Sequence, residues 1–461
     1  MTIQADATRL TLVKILLIMP GVGRKPGERY LRSWTMEPLG LAVLAAATPP
    51  DVEVELIDDR LGPIDYAAPG DAVAINVETY TARRAYAIAA SFRRRGVPVV
   101  LGGYHPTLAP DEATRHGDAI VVGSADGVWP TVVEDLRRHR LQPRYLGGPG
   151  PATGVPPRRA IFPAKGYLPI TLIETGRGCR FGCDFCSVSQ FFERTAFSRP
   201  AADVLAEIES AGRRSVFFVD DNIVAQPQRA RELFDALHPA GIRWFSQASI
   251  NIADDPALLR AAARSGCQGL LIGFESLSAS TLASMGKGWA LSARDYAEAV
   301  QRIRDAGIPI YATFVFGYDT DDPDAFERTV EFAIRQKFLM AAFNHLVPFP
   351  GTPLYARLAG ERRLRQEAWW LAPGFRFGDV AFHPRTMTAD ELAERCYRAR
   401  LAFYSAGSVL SRAWDFRCNV RNLRSAAMYA WLNVFSGREM RQRQGLPIGE
   451  GFVDDVQGGP T

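Results

Sequence analysis

At 461 residues, 47% hydrophobic and 23% charged, the chain has the balance of a globular protein with material for two or three domains. Its 54 basic and 50 acidic residues leave a net charge of +4, so no global field points to nucleic acid. No apolar run reaches the ~18 residues of a spanning helix, and six cysteines with no leader-like start exclude a disulfide framework. No transmembrane segment is expected, and the cytoplasm is the expected compartment.

Residues 1–12 read as a lead-in. Val13 to Met19 is a short apolar run closed by Pro20-Gly21, the form of a buried parallel strand and its loop. Pro38 suits the first turn of a helix running to Ala47. Strands follow at 52–57 and 72–77. A helix over about 81–95 ends at Gly96, and a fourth strand at 97–101 stops at Gly102-Gly103. Residues 119–122 form the fifth strand, with a last helix near 129–138. Five strands alternating with helices predict a doubly wound parallel sheet over 1–142, a Rossmann- or flavodoxin-like α/β domain. Ligands of such sheets sit beyond the carboxyl ends of the strands, here Pro20-Gly21, Thr79, Gly102-Gly103-Tyr104-His105 and Gly123-Ser124. No G-x-G-x-x-G follows the first strand, which disfavours a nicotinamide site.

Residues 143–169 hold seven prolines and several glycines, the composition of a semi-rigid linker. A second alternation begins at 170. Strands are expected at 170–174, 215–219, 243–249, 269–274, 309–316 and about 341–347, with helices at 201–211, 227–238, 255–265, 292–306 and 323–336. Six βα units are too few for a closed eight-fold barrel and suit a partial (β/α)6 barrel over 170–355. Residues 356–461 are Arg-rich and helical, and Thr388-Ala389-Asp390-Glu391 is a capping box opening a helix over 389–405. Their arginines read as a solvated helical face or as help in holding an acidic substrate.

The chemistry concentrates after the first barrel strand, in Cys179-x3-Cys183-x2-Cys186. Three thiolates this close can grip three irons of one cubane cluster, which ordinarily takes four. One iron is then left for an outside ligand. Glycines 176, 178 and 182 would let the backbone wrap closely. A structural zinc site wants four ligands in pairs, and neither Cys267 nor His238 supplies a second pair. Cys267, Cys396 and Cys418 stand singly in apolar or helical surroundings and read as buried small hydrophobes. At later strand ends stand Asp220-Asp221-Asn222, the Gln247/Ser249 pair on one face of its strand, Glu275, Gly317 and His345. The bland readings are a helix-capping turn for the two aspartates, a salt bridge for Glu275 and a structural role for His345.

With Phe185, the cysteine run reads C-x3-C-x-aromatic-C and resembles the signature of the radical S-adenosylmethionine (radical SAM) superfamily. That resemblance implies a [4Fe-4S] cluster on Cys179, Cys183 and Cys186. It also implies S-adenosylmethionine on the open iron, cleaved to a 5′-deoxyadenosyl radical by an electron from a flavodoxin or ferredoxin. It assigns Phe185, Asp220, Asp221, Asn222, Gln247, Ser249, Glu275 and Gly317 to the nucleoside and amino-acid parts of that cofactor. The N-terminal domain resembles the cobalamin-binding domain of one branch, which includes hopanoid methylases and the Mg-protoporphyrin cyclase. The matching pieces are Trp34-x2-Glu37-Pro38-Leu39-Gly40-Leu41, Gly102-Gly103-Tyr104-His105-Pro106-Thr107 and the Gly123 turn.

Glu37, Gly102, Gly103, His105 and Gly123 are the implied corrin contacts. No D-x-H-x-x-G segment offers a lower histidine ligand. His105, held extended by Pro106, is expected at the corrin rim. Gly123-Ser124-Ala125-Asp126 departs from the branch's G-E-x-E, which keeps a cofactor-free platform as the alternative. The implied function is cobalamin-dependent C-methyl transfer to a small molecule (a lipid, a tetrapyrrole or a natural-product intermediate). An oxidative cyclisation or rearrangement without methyl transfer is the alternative.

Overall fold

The computed structural model describes residues 14–25, 27, 34–148, 150, 156–290 and 296–452. Val13 and residues 292–295 of an expected helix lie outside them. The chain forms two compact units, one of Met1–Arg32, Pro38–Gly166 and Ile448–Thr461, the other of Ser33–Glu37 and Tyr167–Pro447.

In the first unit, β1 (Lys14–Met19), β2 (Glu53–Asp58), β3 (Ala72–Asn76), β4 (Val99–Gly102), β5 (Ala119–Val122) and β6 (Arg144–Leu146) lie in the order β2-β1-β3-β4-β5-β6. Every pairing is parallel. Ile15 to Ile18 are wholly buried, as a central strand covered on both faces requires. The edge strand β2 instead alternates, and its Glu53 and Glu55 pair with Lys14 across the ladder. Order reverses between β1 and β3, the topological switch at which such sheets open a crevice.

Two expectations need correction here. The sheet has six strands, not five, because Arg144–Leu146 of the Pro-rich stretch pairs with β5; burying only Tyr145, it carries too short a pattern to be read as a strand. His105 is helical rather than extended: it lies in the short helix Tyr104–Leu108, where Pro106 falls in the first turn and its missing N–H costs nothing. The His105 amide donates to the Val77 carbonyl at 3.0 Å, which fixes the turn.

The second unit opens with β7 (Thr171–Ile173). The short antiparallel pair β8 (Gly176–Gly178) and β9 (Ala196–Ser198) follows, then β10 (Ser215–Phe218), β11 (Arg243–Ala248), β12 (Cys267–Glu275), β13 (Ile310–Phe316) and β14 (Met340–His345). The main sheet runs β14-β13-β12-β11-β10-β7, all parallel, with β7 and β14 left as edges, so the barrel is open. Phe274, Phe314 and Phe343 point to one side of three successive strands, with ring centroids 5.7 and 5.5 Å apart. They belong to a continuous core that also takes in Trp244, Phe218 and Phe403.

Helix Ala389–Phe403 begins at the expected capping box on Thr388 and Glu391 and sets Phe403 against Phe343 of β14, 5.6 Å away. Helices Ala406–Ala413 and Leu423–Arg443 follow. Arg412 is no solvated arginine. Fully buried, it donates to the carbonyls of Phe338, Leu339 and Phe403 and to Asn433, with its guanidinium 3.7 Å from the Phe403 ring centroid. Cys267, Cys396 and Cys418 are buried as small hydrophobes. Among the described residues no helix is long and apolar enough to cross a membrane.

Candidate functional site

The cysteine loop leaves β8 and returns through helix Ser187–Phe191 to β9. Gly176 and Gly178 are glycines because this hairpin is tight. A Cβ on Gly176 would sit 2.4 Å from the Phe197 carbonyl, and one on Gly178 (φ +81°) 2.3 Å from the Thr195 carbonyl. Their close approach is therefore to the chain itself. Three distant segments clamp the loop. The Asp184 amide donates to the Met285 carbonyl at 3.0 Å and the Leu354 amide to the Asp184 carbonyl at 3.0 Å. The Tyr318 hydroxyl donates to the Asp184 carboxylate at 2.7 Å. Phe181 stacks on Trp289 at 3.7 Å.

All six cysteines are free. Cys183 is buried while Cys179 and Cys186 are half-buried. Burial raises the Cys179 thiol and pushes that of Cys183 up to about 12, with Lys287 opposing the latter shift. Among the described residues no three ligand-type side chains close around a single metal ion. Cluster ligands need not, since each cysteine reaches a different iron. Three unpaired, partly shielded thiols on a loop held open by distant segments fit a cubane with one free iron, whose charge would drive off the thiol protons.

Beside this loop lie the strand-end residues. Asp220 is buried and accepts from the Thr175 amide at 2.7 Å and from the Thr175 hydroxyl. Burial lifts its carboxyl to about 7. Asp221 accepts from the Gly178 amide at 2.8 Å and is lifted to about 6 by the same cause. Both carboxylates thus hold the two ends of the segment that enters the cysteine loop. Asn222 Nδ2 stands 4.0 Å from Cys179 Sγ and 3.1 Å from Ser249 Oγ, and its Oδ1 accepts from the Ser249 amide at 3.1 Å. Ser249 in turn donates to Asn251. The result is a chain of neutral polar groups leading from the cysteine loop to the end of β11. Gln247 offers its carbonyl to the Ile223 amide at 2.9 Å, bracing the same turn.

Glu275 ends β12 in the left-handed region, φ +61°, at a register shift against β13. Its carboxylate pairs with Lys287 Nζ at 2.7 Å, and both are buried. The same Nζ donates to the Gly273 carbonyl at 2.7 Å. At Gly317 (φ +107°) a Cβ would lie 2.6 Å from Leu392, so the near neighbour there is the helix Ala389–Phe403. Phe185 packs half-buried against the barrel core. His345 is buried, bonds the Leu346 carbonyl through Nδ1, and is pushed down to about 4 by burial, a structural residue. Thr175, Asn251, Lys287 and Trp289 escaped the sequence reading. The available signal was Met285-Gly286-Lys287-Gly288, a lone lysine between glycines after a buried strand.

The first unit carries a second edge. Gly102 has open space on its Cβ side, with nothing nearer than Val121 at 3.9 Å. Gly103 (φ +112°) is forced by Asn76 and the Val77 carbonyl, and Gly123 (φ +85°) by the Gly147 carbonyl. Glu78, missed by the sequence reading, follows β3 at the switch point, and burial lifts its carboxyl to about 7. His105 is fully buried between Thr79 (3.3 Å) and Glu112 (2.9 Å) and offers no surface to a rim. Glu37 falls in the other unit and sits 3.7 Å from Arg213. A cavity of about 460 Å³ opens beyond β2, lined by Asp58, Leu61, Gly62 and Lys165 among others. An edge built of glycine backbone, with the Gly102 side unfilled, fits the broad face of a corrin.

A loop of three cysteines at the carboxyl end of an open parallel barrel, following in sequence a separate flavodoxin-order sheet, defines a two-module cluster enzyme. Residues 173–333 match the family model described as Radical SAM superfamily. The chain is 30% identical over 390 residues to bacteriochlorophyllide d C-12(1)-methyltransferase of Chlorobaculum tepidum, covering 81% of this chain and 84% of that one. It is 32% identical over 357 residues to bacteriochlorophyllide d C-8(2)-methyltransferase of the same organism, covering 72% and 78%. Its fold is similar to that of the radical S-adenosylmethionine methyltransferase TsrM of Kitasatospora setae, at TM-score 0.63 and 16% identity over 94% of this chain and all of that one. The chain belongs to the radical SAM superfamily, in the branch whose barrel follows a cobalamin-binding-type sheet domain. It is a radical SAM enzyme of the methyltransferase kind acting on a small molecule, and its cofactors are the [4Fe-4S] cluster and S-adenosylmethionine.

Proposed function

We propose that the enzyme methylates an unactivated carbon of a tetrapyrrole, taking the methyl group from a cobalamin held at the carboxyl edge of its N-terminal sheet. The observation that carries this is the joint presence of the three-cysteine loop and the glycine-built sheet edge in one chain. Two relatives at 30% and 32% identity bear names that place their action on bacteriochlorophyllide d. When bound, the cluster and S-adenosylmethionine supply a 5′-deoxyadenosyl radical, and the corrin supplies a transferable methyl group.

In this reading residues 1–142 serve the corrin, 143–169 link, 170–355 house the radical chemistry and 356–461 form a helical extension. Cys179, Cys183 and Cys186 hold the cluster. Asn222 and Ser249, bonded to one another beside Cys179, present polar edges to the nucleoside. Asp220 and Asp221 fix the backbone at Thr175, just before β8, and at Gly178, its last residue, and set where the amino-acid end of S-adenosylmethionine can lie, with Phe185 contributing from the cysteine loop. Gln247 braces their turn, and Glu275 keeps its carboxylate aligned through Lys287, oriented toward ribose hydroxyls. The backbone at Gly317 sets the adenine end. On the sheet, Gly102 offers the open face, with Gly103 and Gly123 shaping the turns beside it. The electron comes from a flavodoxin or ferredoxin in a reducing cytoplasm.

The test is anaerobic reconstitution with iron, sulfide and hydroxocobalamin, followed by turnover with methyl-labelled S-adenosylmethionine and a chlorin carboxylate. Label passing to cobalt and then to a carbon of the macrocycle is the expected result. Formation of 5′-deoxyadenosine with no corrin retained would remove the methylcobalamin role. Label on cobalt but not on the macrocycle would remove the tetrapyrrole.

A further inference from the structure

Seven large apolar side chains are exposed among the described residues, and six of them fall between Leu410 and Val434. They are Leu410, Trp414, Phe416, Leu423, Trp431 and Val434. Leu423 is 91% exposed, and Trp414 and Val434 are each 73% exposed. On the helix Leu423–Arg443 the exposed positions Leu423, Ala427, Trp431 and Val434 recur at helical spacing, so they make one outward stripe. The opposite side is spent on the fold, where Tyr429 and Leu432 pack with Leu339 and Met340. The stripe is therefore not a core face left over by mistaken phase. Trp414 and Phe416 stand edge to face at 5.4 Å on the connection before this helix, and the Trp414 carbonyl accepts from Lys337.

Charge in the same stretch is one-sided. Arg417, Arg421, Arg424, Arg438 and Arg441 are exposed, Arg417 pairing with Asp305 from a neighbouring helix, while the two acids of residues 406–443, Asp415 and Glu439, are both buried. An outward surface of tryptophan, phenylalanine and leucine bordered by arginines, of which Arg417 alone is met by an exposed carboxylate, that of Asp305, among the ion pairs of these five, has the make-up of an interfacial helix. The apolar side chains enter the boundary of the acyl chains, and the guanidinium groups meet phosphates. A second copy of the chain would set arginines against arginines, which disfavours self-association through this face. Because no described helix can span a bilayer, the contact would lie along its surface.

We propose that the helices Ala406–Ala413 and Leu423–Arg443, with the Trp414–Phe416 connection, dock this enzyme peripherally on an anionic phospholipid bilayer. This stands apart from the methyl-transfer reading and does not depend on it.

The test is flotation of the full-length, cluster-reconstituted protein with vesicles of phosphatidylglycerol and phosphatidylcholine, against vesicles of phosphatidylcholine alone. Partitioning about tenfold or more in favour of the anionic vesicles, and falling with salt, is expected. The exposed triple variant Trp414→Ser, Leu423→Ser, Trp431→Ser should lose about tenfold or more on them. Arg421→Gln, Arg424→Gln, Arg438→Gln should abolish the preference between the two compositions. Iron content and the thermal midpoint should match wild type in both variants, which separates lost docking from lost folding. No flotation with anionic vesicles, equal flotation with both compositions, or an undiminished serine variant would overturn the proposal. So would a wild-type dimer that the serine variant dissociates in the absence of vesicle binding, which would assign the face to a second copy.

Discussion

The described residues form two six-stranded parallel sheets, and their carboxyl ends are furnished in different ways. In the barrel the edge carries side-chain chemistry: three thiols, Asp220, Asp221, Asn222 and the Glu275–Lys287 pair, nearly all bonded to backbone or to each other. In the N-terminal sheet it is mostly backbone, with glycines 102, 103 and 123 and one lifted carboxyl at Glu78. The same rule of parallel topology puts a site at each edge. What differs is whether the edge must hold a small polar cofactor at named atoms or offer a broad face to a large ring.

That contrast can be broken most directly at the cysteines. Replacing Cys179, Cys183 and Cys186 together by Ala should take bound iron from about four per chain to near zero, measured by iron and sulfide assay after anaerobic reconstitution. A full complement of iron in the variant would end the cluster assignment. Next in size is Lys287→Met, which strands the buried Glu275 carboxylate and should cost about 3–5 kcal/mol in chemical unfolding. Adding Glu275→Gln should recover part of that loss. A double variant no better than the single would mean that the two side chains are not coupled.

The barrel edge should also give a pH signature. Asp220 is lifted to about 7, so between about 4 and 7 the folded chain keeps a proton that the unfolded chain releases. Stability contributed by this group is therefore full below about 4 and declines as pH climbs through the folded value near 7. Asp220→Asn should flatten that decline in thermal midpoints recorded across the range. An unchanged slope would move its origin elsewhere, Asp221 being the next candidate. The smallest effects distinguish two glycines of the other edge. Gly103→Ala meets Asn76 and a positive φ and should cost about 1–3 kcal/mol. Gly102→Ala should change stability by no more than about 0.5 kcal/mol while weakening corrin retention on a desalting column. Equal stability losses would show that Gly102 is held by the fold as well.

Much of this was legible because period and spacing carry it. The apolar run Ile15–Ile18, the alternation of Ile310–Phe316 and the spacing of three cysteines each depend on a few adjacent residues. Asp220, Asn222 and Ser249 could be picked out as strand-end polar groups. Their partners could not, since Thr175 lies 45 residues from Asp220 and no local pattern couples them. Lys287 was hidden for the same reason, reaching Glu275 across an intervening helix. Strand β6 buries one side chain and looks like linker. His105 looked like an edge residue until the helix beginning at Tyr104 carried it into the interior.

The clamp on the cysteine loop also sets an order of events in the life of the chain. Asp184 takes its tyrosine partner from 134 residues further along, at Tyr318, and its carbonyl is met by the Leu354 amide later still. At roughly 5–20 residues per second of synthesis, Tyr318 reaches the growing chain about 7–27 s after the loop. Before then the loop has only its earlier braces, from Asp220, Asp221, Met285 and Trp289. The full clamp on the loop therefore closes only late in synthesis. It waits for β14 and the turn beyond it, and a chain truncated before Leu354 would carry the complete cysteine motif with the Asp184 carbonyl left without its amide partner.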